Sequence, residues 1–119
     1  MKLAVIGSRN CPHIDLEDYI TTLPDVIVSG GAKGVDTYAR EFALRHNIEL
    51  IEFKPDYKKY GRRAPLVRNK QIVDECDCLV AIWDGESRGT RYTIQYAKKM
   101  NKPVKICYAP IEEKIYFVT

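Results

Sequence analysis

The chain has 119 residues, enough for one domain with a real core and too few for a second module of any size. A hydrophobic fraction of 45% and a charged fraction of 29% exclude disorder, and no apolar run approaches the roughly 20 residues of a bilayer span. The net charge of +3, from 19 Lys+Arg against 16 Asp+Glu, is too mild to imply nucleic acid by itself.

The chain alternates between short apolar runs and helical patterns. The first run, Leu-Ala-Val-Ile at 3–6, reads as a strand and ends in Gly7-Ser8-Arg9. The opening MKLAVIGS is too soon polar for a signal peptide, so a cytoplasmic location is expected. Residues 13–22, with Ile14, Tyr19 and Ile20, give a short and weak helical pattern. The second strand, DVIVSGG at 25–31, runs into Gly34 and a helix over 34–47, where Val35, Tyr38, Ala39, Phe42, Ala43 and His46 recur at helical spacing. A third strand covers 48–53, and a helix over 64–76 carries Ile72, Val73 and Cys76 on one stripe. CLVAIW at 78–83 is wholly apolar, as suits a strand buried on both faces. It is followed by a helix over 88–101, a fifth strand over 104–108 and a terminal KIYFVT that reads as a short edge strand.

Strand–helix alternation within one small domain predicts an α/β fold. With right-handed crossovers this is a Rossmann-like, doubly wound, mostly parallel sheet of five or six strands, with helices on both faces. Cys11, Cys76, Cys78 and Cys107 lack the spacing of a zinc site, so free thiols and no metal are expected.

Ligands of such sheets bind beyond the carboxyl ends of the strands. Two ends stand out there, each leading into a helix. One reads Ser29-Gly30-Gly31-Ala32-Lys33-Gly34-Val35-Asp36 and the other Asp84-Gly85-Glu86-Ser87-Arg88-Gly89-Thr90. Glycines admit close approach of backbone to a ligand, and a helix start offers free N–H groups, which together favour phosphate. Neither loop is a Walker A, and the first strand lacks GxGxxG, so ordinary NTPase and dehydrogenase readings lose support. Tight turns and helix packing are the alternative use of these glycines.

The stripe of the 64–76 helix continues back to Arg68 and Asn69. A buried charge needs a partner, so Arg68 is expected to face either a ligand anion or a carboxylate, Asp84 or Asp36. Thr90 and Thr93 lie on the inward stripe of the next helix, where capping and backbone hydrogen bonding are their plainer use. Lys54, Lys58, Lys59, Arg62 and Arg63 cluster before the 64–76 helix with Tyr57 and Tyr60 among them, as a phosphate lid, a nucleic-acid face or a solvated loop. Trp83, at the end of the most apolar strand, is placed either to stack on a base or to pack beneath the loops.

The stretches AVIGSR, VSGGAKGVDTYA, KYGRRAPLVRN and LVAIWDGESRGT, spanning about 3 to 97, resemble the SLOG superfamily of Rossmann-like domains, in particular its small YspA-like branch. Wider members include cytokinin-activating phosphoribohydrolases, the DNA-processing protein DprA and molybdenum cofactor carriers. The resemblance implies a nucleotide-derived ligand at the strand ends, NAD- or ADP-ribose-linked in this branch. Gly30, Gly31 and Gly34 match the first phosphate loop, Gly89 and Thr90 the Gly-Thr of the second, and Arg68 the arginine before strand 4 of the phosphoribohydrolases. Those enzymes carry a glutamate where this chain has Thr93, which weakens the case for N-glycosidic hydrolysis.

The expected activity is therefore binding of a phosphorylated nucleoside, ADP-ribose-like or a cyclic nucleotide signal, with no cofactor. The glycine loops would hold phosphate, Arg9 and Arg68 would neutralise charge, and Asp36 or Asp84 would take ribose hydroxyls. Trp83, Tyr57 or Tyr60 would cover the base. With no length left for an output domain, such a binder carries, senses or sequesters its ligand, or signals as a homo-oligomer. A phosphoribohydrolase-like enzyme using Arg68 with a carboxylate such as Asp84 is the second expectation. Single-stranded DNA binding is the third; nucleic acid and membrane are not the expected partners.

Overall fold

The computed structural model describes residues 1–108. Five strands form one sheet: β1 (Lys2–Gly7), β2 (Val26–Ser29), β3 (Glu49–Glu52), β4 (Cys78–Trp83) and β5 (Val104–Tyr108). All neighbours pair in parallel, in the order β3-β2-β1-β4-β5. The expected terminal strand KIYFVT falls outside the described residues. Alternation in β1 shows why the sheet needs cover on both faces. Leu3 and Val5 enter a core with Phe42 of α1 (Val35–Arg45), whereas Ala4 and Ile6 enter a second core with Ile72 of α3 (Ala64–Glu75) and Ile94 of α4 (Arg88–Lys99). Phe42 is wholly buried, and truncating such a ring to alanine costs about 3–5 kcal/mol.

The helix ends follow local chemistry. Asn47 and Asn101 take left-handed backbone just past α1 and α4, and the next amides, of Ile48 and Lys102, return to the carbonyls of Ala43 and Ala97. This closure satisfies helix carbonyls that would otherwise be orphaned. Residues 13–22 depart from the expected helix. Only a 3-10 turn forms, at Leu16–Asp18, because Ile14, Leu16 and Ile20 are all buried, a spacing that one helical face cannot supply. A turn absent from the sequence reading, α2 (Tyr57–Tyr60), is capped by Asp56, whose carboxylate accepts from the Lys59 amide at 3.1 Å.

The order of strands places the site. The chain leaves central β1 for β2 and β3, then returns to lay β4 on the other side of β1. The connections diverge between β1 and β4, so their carboxyl ends flank an open crevice. Among the described residues, no helix is long and apolar enough to cross a membrane.

Candidate functional site

A cavity of about 500 Å³ occupies that crevice. Gly7, Ser8, Arg9 and Asn10 line it from the end of β1, Ala32, Lys33 and Asp36 from the loop and helix after β2, and Asp84, Glu86 and Ser87 from the loop after β4. Pro65, Arg68, Asn69 and Ile72 approach along α3, and Gly89, Thr90 and Thr93 along α4. Ile6 completes the lining.

Each glycine loop is organised by a carboxylate within it. Asp36, buried in the first turn of α1, accepts from the Ser29 hydroxyl at 3.0 Å and the Ala32 amide at 3.1 Å. Asp84 accepts from the amides of Glu86 and Ser87 at 2.8 and 2.7 Å, both through Oδ1. Desolvation pushes the Asp84 carboxyl up, but the Ser87 and Glu86 amides and the Ser8 hydroxyl outweigh it and hold it below the ordinary carboxylate value. The Ser8 amide donates to Ile82 at 3.2 Å, tying the ends of β1 and β4 together.

Gly34 and Gly30 of the first loop both meet close neighbours. Gly34 has φ of 74°, and a Cβ there would lie 2.6 Å from the Arg9 carbonyl oxygen, so the β1 and β2 loops touch backbone to backbone. At Gly30 a Cβ would lie 2.6 Å from Nη1 of Arg68 and 2.9 Å from Oδ2 of Asp36. The space above Gly30 is filled by an arginine that crosses from α3.

Arg68 is only 7% exposed. Its Nη1 donates to the Gly30 carbonyl at 2.9 Å and the Phe53 carbonyl at 3.5 Å, and its Nε donates to Oδ1 of Asn69 at 2.8 Å. The expected salt bridge to Asp84 or Asp36 does not form, and no carboxylate pairs with it among the described residues. Burial lowers its pKa, with the Asp36 charge opposing and that of Arg9 adding to the effect. Nη2 has no hydrogen-bond partner among the described residues, and the side chain lines the cavity.

The threonines follow their plainer expectation in part. Thr93 donates to the Gly89 carbonyl at 2.8 Å and Thr90 to Oγ of Ser87 at 3.3 Å, yet both also line the cavity. Gly89 has open space where a Cβ would stand.

Of the sequence-derived site residues, Gly7, Ser8, Arg9, Asp36, Arg68, Asn69, Asp84, Ser87, Gly89 and Thr90 meet at the cavity. Ser29, Gly30, Gly31, Gly34, Gly85 and Trp83 do not line it. Ser29 and Gly30 lie one layer behind, bonded to Asp36 and Arg68. Trp83 stacks on Tyr108 with centroids 5.9 Å apart and donates from Nε1 to the Ser87 carbonyl at 3.1 Å, so it braces the second loop from outside. Tyr57 and Tyr60 also lie outside the lining. Ala32, Lys33 and Glu86 lie in the two loops that the sequence singles out but were not among the expected ligand contacts, and Asn10, Ile6, Pro65 and Ile72 were not expected at the site.

A model of the YspA, cpYpsA-related SLOG family matches residues 1–60. The chain belongs to that family. Gene 61 protein of Mycobacterium phage D29 is 33% identical over 85 residues, covering 66% of this chain and 68% of the phage protein. The uncharacterized SPbeta prophage-derived protein YoqJ of Bacillus subtilis is 37% identical over 54 residues, 43% of this chain and 32% of its own length. Among solved structures, DNA processing protein A (DprA) of Streptococcus pneumoniae superposes with a TM-score of 0.76 at 25% identity, covering 94% of this SLOG chain and 52% of DprA. DprA of Helicobacter pylori gives 0.69 at 25% identity, covering 89% and 64%. The latter structure concerns single-stranded DNA binding, which weighs against setting nucleic acid aside as a partner of this SLOG domain.

Proposed function

We propose that this SLOG domain binds a phosphorylated nucleoside in the crevice between β1 and β4, with the phosphate held at Arg68. One observation carries the reading. A buried guanidinium, free of any carboxylate pair among the described residues, belongs to a side chain that lines the cavity and has one donor nitrogen without a partner among those residues. Burying a charge is expensive, and a bound anion repays that cost where no carboxylate pairs directly with the arginine. Arg9 and Lys33 add positive charge to the same lining, and the starts of α1 and α4 add N–H donors. Asn10, Asn69, Thr90 and Thr93 are suited to ribose hydroxyls. Adenosine diphosphate ribose, NAD fragments and cyclic nucleotides all present this chemistry, and a role in carrying, sensing or sequestering such a ligand as a homo-oligomer belongs to the same proposal.

The test is calorimetry of the purified chain with AMP, ADP, ADP-ribose, NAD and cyclic nucleotides, followed by chromatography of each mixture. Tight binding with the ligand recovered intact is expected. Release of free base or ribose phosphate, lost in Arg68→Ala, would establish a hydrolase instead.

A further inference from the structure

The segment that leads into the cavity wall is strongly and one-sidedly charged. From Tyr57 to Val73 it holds Lys58, Lys59, Arg62, Arg63, Arg68 and Lys70 and no acidic residue. Lys58, Lys59, Arg62 and Arg63 are exposed, and none pairs with a carboxylate among the described residues. They sit on α2 and on the 3-10 turn Gly61–Arg63, which passes directly into α3; two residues on, Pro65 lines the cavity. Tyr57 is 57% exposed, and Nζ of Lys59 lies 5.3 Å from the centroid of Tyr60. A row of free cations with an exposed ring among them fits a phosphodiester backbone with stacked bases.

We propose that the ligand extends beyond one nucleotide: a single-stranded oligonucleotide whose terminal 5′-phosphate enters the cavity and whose next phosphates lie along Lys58, Lys59, Arg62 and Arg63. This rests on the reading of the cavity as a nucleotide-phosphate site. The strand must be single, because a crevice of about 500 Å³ suits one nucleotide and a paired end would have to open to enter it.

The probes are dTMP, a 5′-phosphorylated oligothymidylate of about ten residues, the same strand with a 5′-hydroxyl, and a blunt hairpin. The phosphorylated strand is expected to bind at least tenfold more tightly than dTMP, the hydroxyl-ended strand and the hairpin. Its affinity should fall with salt with a log–log slope about 3 steeper than that of dTMP, from four phosphate contacts. Replacing the four cations together by Gln, with circular dichroism to check the fold, should bring the strand to the dTMP level and leave dTMP binding unchanged. Equal affinity of dTMP and the strand would overturn the extension while leaving the cavity reading standing. A hydroxyl-ended strand that binds as well as the phosphorylated one would also overturn it. Failure of both dTMP and the phosphorylated strand to bind would overturn the extension, and failure of AMP, ADP and ADP-ribose as well would overturn the cavity reading.

Discussion

Arg68→Met separates a binding residue from a structural one. Methionine keeps the apolar stem and ends near where Nε stands, so the change removes the charge, the donors and the guanidinium above Gly30 while the stem packing is kept. Two short hydrogen bonds disappear, to Gly30 at 2.9 Å and to Asn69 at 2.8 Å. Bonds to a charged group contribute about 1.5–3 kcal/mol each, so the loss is about 3–6 kcal/mol. Removing the cation relieves a desolvation penalty of several kcal/mol, which the nearby Asp36 charge offsets only in part. The two terms nearly cancel, and the net change in stability is expected within about 2 kcal/mol. At about 4 °C per kcal/mol for a domain of this size, Tm should move by less than about 8 °C. Binding should suffer far more. A charge-assisted contact to a half-buried ligand phosphate contributes about 2–5 kcal/mol, so nucleotide affinity should fall by about 30-fold or more. Scanning calorimetry gives the first quantity and titration calorimetry the second. A Tm drop beyond about 15 °C with unchanged affinity in the surviving folded fraction would refute the reasoning, because the arginine would then be a core strut.

Gly30→Ala places a methyl group 2.6 Å from Nη1 of Arg68 and must displace the guanidinium, so a loss of nucleotide affinity comparable to that of Arg68→Met is expected by titration calorimetry. Trp83→Phe keeps an aromatic ring against Tyr108 but removes the bond to the Ser87 carbonyl; a loss of about 1 kcal/mol is expected in urea unfolding. Since Trp83 is the sole tryptophan, its fluorescence should shift when ligand orders the 84–87 loop, and a flat titration beside a calorimetric signal would count against that coupling. Glu17 is held down to about 2 by Arg45, with His46 adding to the effect. A depressed carboxyl stabilises the fold above its unfolded pKa near 4.5 and loses that contribution as pH falls toward 2, so the Tm gap between wild type and Glu17→Gln should close across that interval. At 38% side-chain exposure the gap should be small.

The fold was legible because apolar runs and helical stripes do not compete in this chain. The continuous runs at 3–6 and 78–83 became the two central strands, whose buried faces dictate them. Arg68 was legible for the opposite reason: a charge on an apolar stripe violates the pattern, and the structure shows that guanidinium buried at the cavity. Periodicity stops at loops, and so did the reading. Trp83 lies at the right strand end and on a definite face, but whether the next four residues fold over it depends on the Asp84 turn and the Ser87 carbonyl, neither of which has a periodic signature. The same limit explains Lys33 and Asn10, which enter the cavity from loops shaped by Gly34. The short α2 arises from a local cap at Asp56 amid a charge run that reads equally well as coil.

The carboxylates bear on whether the site binds or converts. Hydrolysis by a carboxylate needs either a protonated acid near neutral pH or a free base aimed at the reacting atom. Asp84 is held ionised, below the ordinary carboxylate range, by the amides of its own loop, which makes it a poor proton donor at neutral pH. Both oxygens of Asp36 are engaged, Oδ1 by Ser29 and Oδ2 by Ala32. Thr93, inward on α4, offers a hydroxyl already given to Gly89. Asp36 and Asp84 therefore shape the two glycine loops, and the lining leaves for carboxylate chemistry the exposed Glu86 and the Oδ2 of Asp84, which has no partner among the described residues. Glu86→Gln is accordingly the variant that tests conversion. If any turnover is found in the nucleotide panel and survives that substitution, the reaction does not run through Glu86, and Asp84, through its free Oδ2, must do more than hold its loop.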